Sequence, residues 1–205
     1  MADFEPIPAV DRFVEKLGAT IIYVESDIAW YMPFFDLIRV PPRGSRDTGC
    51  YYSTVLHEHA HWTGHRARLN RPFGWLPKEL VYAREELTAI TATLHLCAFF
   101  NLPPDSWSTQ LDYADNFIPV VQHSASAIRY ALRESRRAAL YLHSRQGVAP
   151  PPDEAVVFQS VNALATMRFS SMMVTPSAER APVVGRSPLA PLIERFRTAP
   201  RVRIA

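Results

Sequence analysis

Two histidines and a glutamate in the first half of the chain have the spacing of a metal site that activates water. His57, Glu58 and His61 form the pattern H-E-x-x-H within the stretch YYSTVLHEHAHWTGH, residues 51–65. On a helix, side chains four residues apart leave the same face, so both imidazoles can reach one tetrahedral zinc ion. Glu58 is turned roughly 100° from His57, too far to join the metal but close enough to take a proton from a water on its open position. The pattern therefore predicts two metal ligands and one general base, although H-E-x-x-H also occurs by chance in unrelated helices.

A catalytic zinc normally takes three protein ligands and one water, so a third ligand must lie elsewhere. A third histidine six residues after the second, as in metzincins, is excluded because that position is Ala67. His65 lies one turn beyond His61 but past Gly64, where we expect the helix to end with a left-handed glycine. His65 is therefore expected to lie beside the site or at the surface.

Glu85 and Glu86 lie on a second predicted helix, which runs from Lys78 to about Phe100. At roughly 100° per residue, Glu86 lies about 60° and Glu85 about 160° from the centre of the helix's apolar stripe. Glu85 is thus expected to face water, and Glu86 to border the buried face, where a metal would compensate its burial. Glu86 is the predicted third ligand, and a simple pairing with Arg84 or Arg66 is the alternative. The apolar stripe consists of Ala83, Leu87, Ile90, Leu94 and Cys97.

The remaining histidines and several tyrosines give weaker signals. His59 faces away from the edge that carries the two predicted ligands and is expected to be structural or to line the cleft. Three tyrosines are possible hydrogen-bond donors to a developing oxyanion, although aromatic packing accounts for each of them as well. These are Tyr51, Tyr52 and Tyr82, while His95, His123 and His143 are interpreted as ordinary helix residues.

The pattern of apolar residues predicts a small sheet before the metal helix and a helical half after it. The strand just before the metal helix, Asp36–Pro41, is a candidate for aligning an extended peptide by strand addition. Asp47 or Thr48 is expected to cap the metal helix. The other predicted elements are a helix over 8–17 ended by Gly18, strands over 19–24 and 29–33, a turn at Phe34–Phe35, and helical structure over 107–145 broken near Pro119.

Composition indicates one ordinary domain and argues for no particular partner. The chain has 205 residues, 48% of them hydrophobic, and a formal net charge of +2. Cys50 and Cys97 are too few for a disulfide scaffold, and no apolar run approaches the roughly 18 residues of a membrane span. The N-terminus has no basic-then-apolar signal region. We therefore expect a soluble, cytoplasmic protein without membrane association, and the sequence does not indicate its oligomeric state.

The composition changes near Gly147. The last 59 residues hold eight of the 18 prolines and seven arginines against four acids. Residues 1–146 are therefore predicted to form the folded domain, and residues 147–205 a Pro/Arg-rich tail that is partly irregular or disordered. Within the tail, residues 156–173 are the candidate for one docked helix.

Several motifs together resemble the C-terminal zincin-like metallopeptidase domain of the ArdC antirestriction family, over about Val10 to Arg145. They are Tyr51-Tyr52-x-Thr54, HEHAHWTGH at 57–65, Arg68-Leu69-Asn70-Arg71, and Tyr82-Ala83-x-Glu85-Glu86-Leu87. The resemblance implies an α+β zincin-like fold, a mobile-element, phage or plasmid context, one Zn²⁺ held by His57, His61 and Glu86, and Glu58 as the base. The family's N-terminal domain, associated with single-stranded DNA, has no counterpart in these residues.

One position departs from the family pattern. Members often carry a second acid four residues after the ligand glutamate, where it orients a metal-bound histidine, and this chain has Ile90 there. The departure predicts weaker metal affinity or the transfer of that role to another residue.

The sequence thus supports two main functional hypotheses, and a third possibility is a toxin or effector protease delivered to another cell, with the Pro-rich tail as an address or partner site. The first is a gluzincin-like zinc endopeptidase that hydrolyses peptide bonds of a protein or peptide substrate. The alternative is a non-catalytic antirestriction or DNA- or protein-binding module that keeps the fold, with Arg66, Arg68, Arg71 and the basic tail as weak support for nucleic-acid binding.

Overall fold

The computed structural model describes residues 4–72 and 79–147 as a small sheet followed by a helical half, which confirms the α+β class. Most of the predicted tail, 147–205, including the helix expected over 156–173, lies outside the described residues, as does the predicted helix start at Lys78. The elements are α1 (Pro8–Leu17), β1 (Thr20–Tyr23), β2 (Trp30–Met32), β3 (Leu37–Val40), α2 (Thr48–Trp62), α3 (Glu79–Phe99), α4 (Pro104–Ala114), α5 (Ile118–Val121) and α6 (Ala125–Ser144).

The first helix follows its sequence signals closely. α1 begins at Pro8, whose fixed φ suits the first helical turn, and Gly18 ends it in the left-handed conformation with φ 70°. Val10, Phe13 and Leu17 form its buried face against the sheet and α2. The predicted helix and its glycine stop are confirmed.

The sheet has the strand order β1-β3-β2, with β1 parallel and β2 antiparallel to β3. β3 is therefore the central strand, because Ile38 pairs with Ile21 on one side and with Tyr31 on the other. The expectation that Asp36–Pro41 receives an extended peptide is wrong, since both edges of β3 are already hydrogen-bonded within the sheet. β1 and β2 are the edge strands.

The metal helix α2 is capped at its N-terminus as expected but ends differently. The Asp47 carboxylate accepts a hydrogen bond from the backbone N–H of Cys50 at 2.8 Å. At the other end Thr63 has right-handed dihedrals. Gly64 is not left-handed, since the glycines with positive φ in the described residues are Gly18, Gly44 and Gly147. The helix thus ends next to Gly64 as predicted, but the left-handed conformation expected of this glycine is wrong. The chain turns there with the backbone N–H of Gly64 donating to the carbonyl of His61 at 2.8 Å.

The segment after α2, residues 63–72, folds back onto the end of the helix. The backbone N–H of Leu69 donates to the carbonyl of Thr63 at 3.0 Å, and that of Arg71 donates to the carbonyl of Gly64 at 2.9 Å. The fold-back places the Arg71 side chain beside the last turn of α2.

α3 is the central helix of the molecule and is buried on nearly all sides between residues 83 and 97. It contacts α2, α4, α5 and α6. Where α2, α3 and α6 meet, the contact consists of fully buried alanines, which let helix axes approach closely. This close approach brings the histidine face of α2 next to the acidic start of α3. The alanines are Ala60, Ala89, Ala92 and Ala138.

Two further sequence expectations can be compared with the described residues. Cys50 and Cys97 are both free thiols. Among residues 4–72 and 79–147, no helix has the length and apolarity needed to cross a membrane.

Candidate metal centre

Three predicted ligand side chains converge between α2 and α3. The Nε2 atoms of His57 and His61 lie 3.1 Å apart. The Oε2 atom of Glu86 lies 3.5 Å from the first nitrogen and 3.6 Å from the second. All three residues are buried. They form a compact group of two nitrogens and one oxygen that could hold a metal ion.

The geometry of this group fits a tetrahedral divalent cation. Ligand atoms about 2.0–2.1 Å from a tetrahedral zinc are separated from one another by roughly 3.3–3.4 Å, close to the three distances found here. Glu86 Oε2 is also buried without a hydrogen-bond donor among the described residues. An unsatisfied buried carboxylate oxygen is unfavourable, and a cation at this point would satisfy it.

Glu58 is buried beside the cluster, and its environment favours proton uptake. Burial raises the pKa of its carboxyl group and nearby Glu86 adds to the effect, whereas the two histidines and a backbone hydrogen bond from Tyr31 oppose it. Tyr31 lies on edge strand β2, so this strand contacts the predicted base. A carboxylate with a raised pKa is suited to accept a proton during catalysis.

Both histidines are oriented by an oxygen acceptor behind the ring. His57 Nδ1 lies 3.1 Å from Oε1 of Gln110, and His61 Nδ1 lies 3.1 Å from Oε1 of Glu85. Each Nδ1 therefore donates away from the cluster, which directs Nε2 of each ring into it. The expectation that Glu85 faces water is wrong, because α3 is surrounded by other helices and its far side is buried as well.

The charges around His61 are arranged as an extended ion-pair network. Arg71 Nε donates to Glu85 Oε2 at 2.9 Å, and its Nη2 donates to Oε1 at 2.8 Å. Burial alone would raise the pKa of both glutamates. Arg71 and His61 nevertheless hold the pKa of Glu85 below its usual range, and the two histidines hold the pKa of Glu86 below its usual range. Burial lowers the pKa of His61, but the two carboxylates outweigh it and raise the value to about 10.

Two tyrosines lie against the carboxylate of Glu86. Burial, together with this carboxylate, raises the pKa of Tyr82 and Tyr113, so both phenols stay protonated and able to donate. Of the other suggested donors, Tyr52 instead donates to Asp11 at 3.0 Å within the core that surrounds α1. Tyr51 lies in the same core, edge-on to Phe4, away from the histidine pair.

The other histidines lie outside the cluster. His59 is fully buried with Nδ1 donating to the carbonyl of Val55 at 2.7 Å, which fits its predicted structural role. His65 Nδ1 accepts the backbone N–H of Ala67 at 3.2 Å. His123 is exposed, whereas His95 and His143 form a buried ring pair between α3 and α6.

The arginines that were considered as partners of Glu86 or of nucleic acid are mostly engaged within the protein. Arg84 stacks over the ring of Tyr130 at 3.8 Å rather than pairing with Glu86. Arg68 covers the Trp62 ring at 3.8 Å and forms an ion pair with Asp36. Arg71 is buried in the network described above. Of the three basic residues suggested as a nucleic-acid surface, Arg66 alone remains exposed.

Sequence reasoning missed Gln110 and Tyr113, since neither belongs to a motif. Both lie on α4, about 50 residues after the histidines. A weak signal was present for Gln110, because Trp107, Leu111 and Ala114 place it among the apolar positions of a helix. A polar side chain in the middle of a buried stripe indicates a hydrogen-bond partner.

Residues 8–134 match the model of the zincin-like metallopeptidase family MPTase-PolyVal. The chain therefore belongs to this family.

Curated relatives share the domain but are longer. Two DNA primases TraC of Escherichia coli are 40% identical over 93 residues and 46% identical over 97 residues, which cover 43% and 44% of this chain and 6% and 9% of theirs. The uncharacterized protein y4eC of Sinorhizobium fredii (strain NBRC 101917 / NGR234) is 28% identical over 150 residues, or 73% of this chain and 48% of its own. The chain thus spans less than half the length of each.

Solved structures of the antirestriction protein ArdC from plasmid R388 are similar in both fold and sequence. The Mn(II)-bound form is 30% identical with a TM-score of 0.51, over 69% of this chain and 53% of ArdC. The metal-free form is 29% identical with a TM-score of 0.56, over 73% and 54%. Together with the cluster of two histidines and a glutamate, these findings indicate an ArdC-type, zincin-like domain that binds a divalent metal.

Proposed function

We propose that this protein is a zinc-dependent, gluzincin-like metallopeptidase that hydrolyses peptide bonds. His57, His61 and Glu86 hold one zinc ion per chain, and Glu58 is the general base. The observation that carries the proposal is the convergence of three buried ligand atoms within 3.1–3.6 Å of one another, with a buried carboxylate beside them. Both histidines present Nε2, the atom that must be unprotonated for coordination.

The reaction would divide between the metal and the protein's own residues. Zinc, when bound, would polarise the scissile carbonyl and lower the pKa of the attacking water. The Glu58 carboxylate accepts a proton from that water as the water oxygen attacks the carbonyl carbon. Glu58 then delivers the proton to the amine nitrogen as the C–N bond breaks. The phenols of Tyr82 and Tyr113 remain protonated near Glu86 and are placed to donate a hydrogen bond on that side of the site.

Strand β2 is the element best placed to receive a peptide. It is an edge strand, and Tyr31 on it hydrogen-bonds Glu58 through its backbone. An extended substrate lying along β2 would pass next to the base, as a peptide does when it adds to a sheet edge. We therefore assign the alignment of the peptide to edge strand β2 rather than to the central strand β3.

The central test is Glu58→Gln. Glutamine keeps the shape of the side chain but does not accept the proton, so cleavage should fall about 100- to 10,000-fold while zinc content stays the same. Cleavage is measured with the zinc-loaded protein on a random-sequence peptide library, analysed by mass spectrometry. Zinc content is measured on the same samples.

Glu134→Gln is the matched control for this test. Glu134 is also a buried carboxylate, but it pairs with Arg133 and Arg137 on α6, and its substitution should leave cleavage intact. Equal cleavage by Glu58→Gln and wild type would show that the assigned base is wrong.

A non-catalytic antirestriction or binding module is the second candidate. It is favoured by the description of the structurally similar ArdC as an antirestriction protein and of TraC as a DNA primase. The engagement of Arg68 and Arg71 within the protein weakens one argument for nucleic-acid binding on this domain. Zinc-loaded wild type that cleaves no peptide of the library would favour this candidate over the peptidase.

A further inference from the structure

Arg71 is a buried guanidinium that connects the end of the metal helix to the start of α3. It is 4% exposed, and in addition to its two bonds to Glu85 it donates through Nη2 to the carbonyl of Ala60 at 2.8 Å. Its Nη1 donates to Thr63 Oγ1 at 2.7 Å. A buried charge needs several partners to offset its desolvation, and the partners of Arg71 define its role.

That role is visible at the shared acceptor, Oε1 of Glu85. This oxygen accepts both from Arg71 Nη2 at 2.8 Å and from His61 Nδ1 at 3.1 Å. Because the guanidinium holds both oxygens of Glu85 at once, the plane of the carboxylate is fixed. The fixed carboxylate in turn fixes the rotation of the imidazole and keeps the proton on Nδ1.

The ion pair between Arg71 and Glu85 also gives the adjacent glutamates Glu85 and Glu86 different roles. Arg71 engages both oxygens of Glu85 and compensates its charge, which leaves Glu86 as the carboxylate that faces the histidine nitrogens. Ile90, one turn further along α3, packs in an apolar cluster and offers no acceptor.

We infer that Glu85 and Arg71 together are positioning residues of the metal centre, an inference that rests on the proposed zinc site. Glu85 orients His61, and Arg71 holds Glu85 in the orientation that this requires. The pair also makes metal affinity depend on the fold-back of residues 63–72, since Arg71 lies at the end of that segment.

The test compares the zinc affinity of wild type and three variants of the full chain by competition with a chelator. The double variant Arg71→Met with Glu85→Leu replaces the ion pair by apolar side chains, which often preserves stability, but removes the acceptor for His61. Its zinc affinity should fall about 10- to 100-fold. Glu85→Gln keeps one oxygen acceptor for His61 but loses the charge and the second acceptor for Arg71, so its zinc affinity should fall by a smaller but measurable factor, about 3- to 10-fold. Glu134→Gln serves as a matched control and should bind zinc as wild type does.

A spectroscopic measurement accompanies the titration. In zinc-loaded wild type, the His61 Nδ1–H proton should give a distinct, slowly exchanging NMR signal, and the double variant should lose it while the His57 signal persists.

Unchanged zinc affinity in a folded double variant would overturn the inference and leave the metal centre in place. If the double variant does not fold, Glu85→Gln decides, since zinc affinity and a His61 signal identical to wild type would overturn the inference. Failure of wild type to bind zinc would instead overturn the proposed metal centre and this inference with it.

Discussion

The protein contains two pairs of buried histidines whose rings meet in nearly the same way. His57 and His61 on α2 have ring centroids 4.7 Å apart and planes at 79°. His95 on α3 and His143 on α6 have centroids 5.5 Å apart and planes at 85°. All four residues are buried. Ring geometry and burial therefore do not distinguish the candidate metal centre from the second pair.

The neighbours of the two pairs differ. The first pair faces Glu86, whereas the second is surrounded by aromatic rings, with Phe99 4.6 Å from His143. Burial lowers the pKa of His95 and of His143 to about 4, but for His61 the adjacent carboxylates raise the pKa to about 10. The comparison indicates that the acids on α3, rather than the histidines alone, make the surroundings of the α2 pair favourable for positive charge.

The largest difference between the pairs should appear in zinc binding. His57→Phe removes one of three ligands and should weaken zinc affinity on the order of 100- to 1,000-fold, about one ligand's share of the binding free energy of a structural zinc. His143→Phe should leave it unchanged, because its surroundings are already aromatic. A chelator competition titration measures both variants. An equal loss of zinc affinity in His57→Phe and His143→Phe would contradict the assignment of the metal site to the α2 pair.

A smaller difference should appear in the pH dependence of stability. The unfolded chain protonates His95 and His143 near pH 6.5, but the folded protein does so only near pH 4. Stability is therefore fully present above pH 6.5 and is lost as the pH falls toward 4, on the order of 2 kcal/mol for each histidine. Urea unfolding of the metal-free protein at pH 7 and pH 5 should show a shallower loss for His143→Phe than for wild type. The exposed His123→Phe serves as the control, and a loss in His143→Phe as steep as in wild type would contradict the assignment.

The smallest effect is expected within the metal pair itself. His57 is oriented by the neutral Gln110, whereas His61 is oriented by a charged carboxylate held by an arginine. Charge-assisted hydrogen bonds are roughly twice as strong as neutral ones, so Gln110→Met should lower zinc affinity only about tenfold. Gln110→Glu supplies a charged acceptor and should bind at least as tightly as wild type. A greater loss in Gln110→Met than in Arg71→Met with Glu85→Leu would reverse the proposed ranking.

Local spacing predicted the parts of the site that lie on one helix. The positions of His57, Glu58 and His61 follow from helical geometry, and the border position of Glu86 follows from the apolar stripe of α3. The burial of Glu85 could not be predicted in the same way. A helical wheel assumes one solvent face, and α3 has none over most of its length because helices surround it.

The order of the strands and the contacts from α4 depend on the tertiary fold. Nothing in the segment Asp36–Pro41 indicates that β3 inserts between β1 and β2, because non-sequential strand order is set by long-range packing. Gln110 likewise reaches His57 only after α4 has docked. The sequence predicted where the proposed base and the candidate ligands lie, but not the residues that orient the two histidines.

The central claim, that His57, His61 and Glu86 hold one zinc ion, is tested most directly by anomalous diffraction at the zinc absorption edge on crystals of the zinc-loaded protein. The account predicts one peak per chain, about 2.0–2.2 Å from Nε2 of each histidine and from a carboxylate oxygen of Glu86. A peak elsewhere, or none at this position, would contradict it.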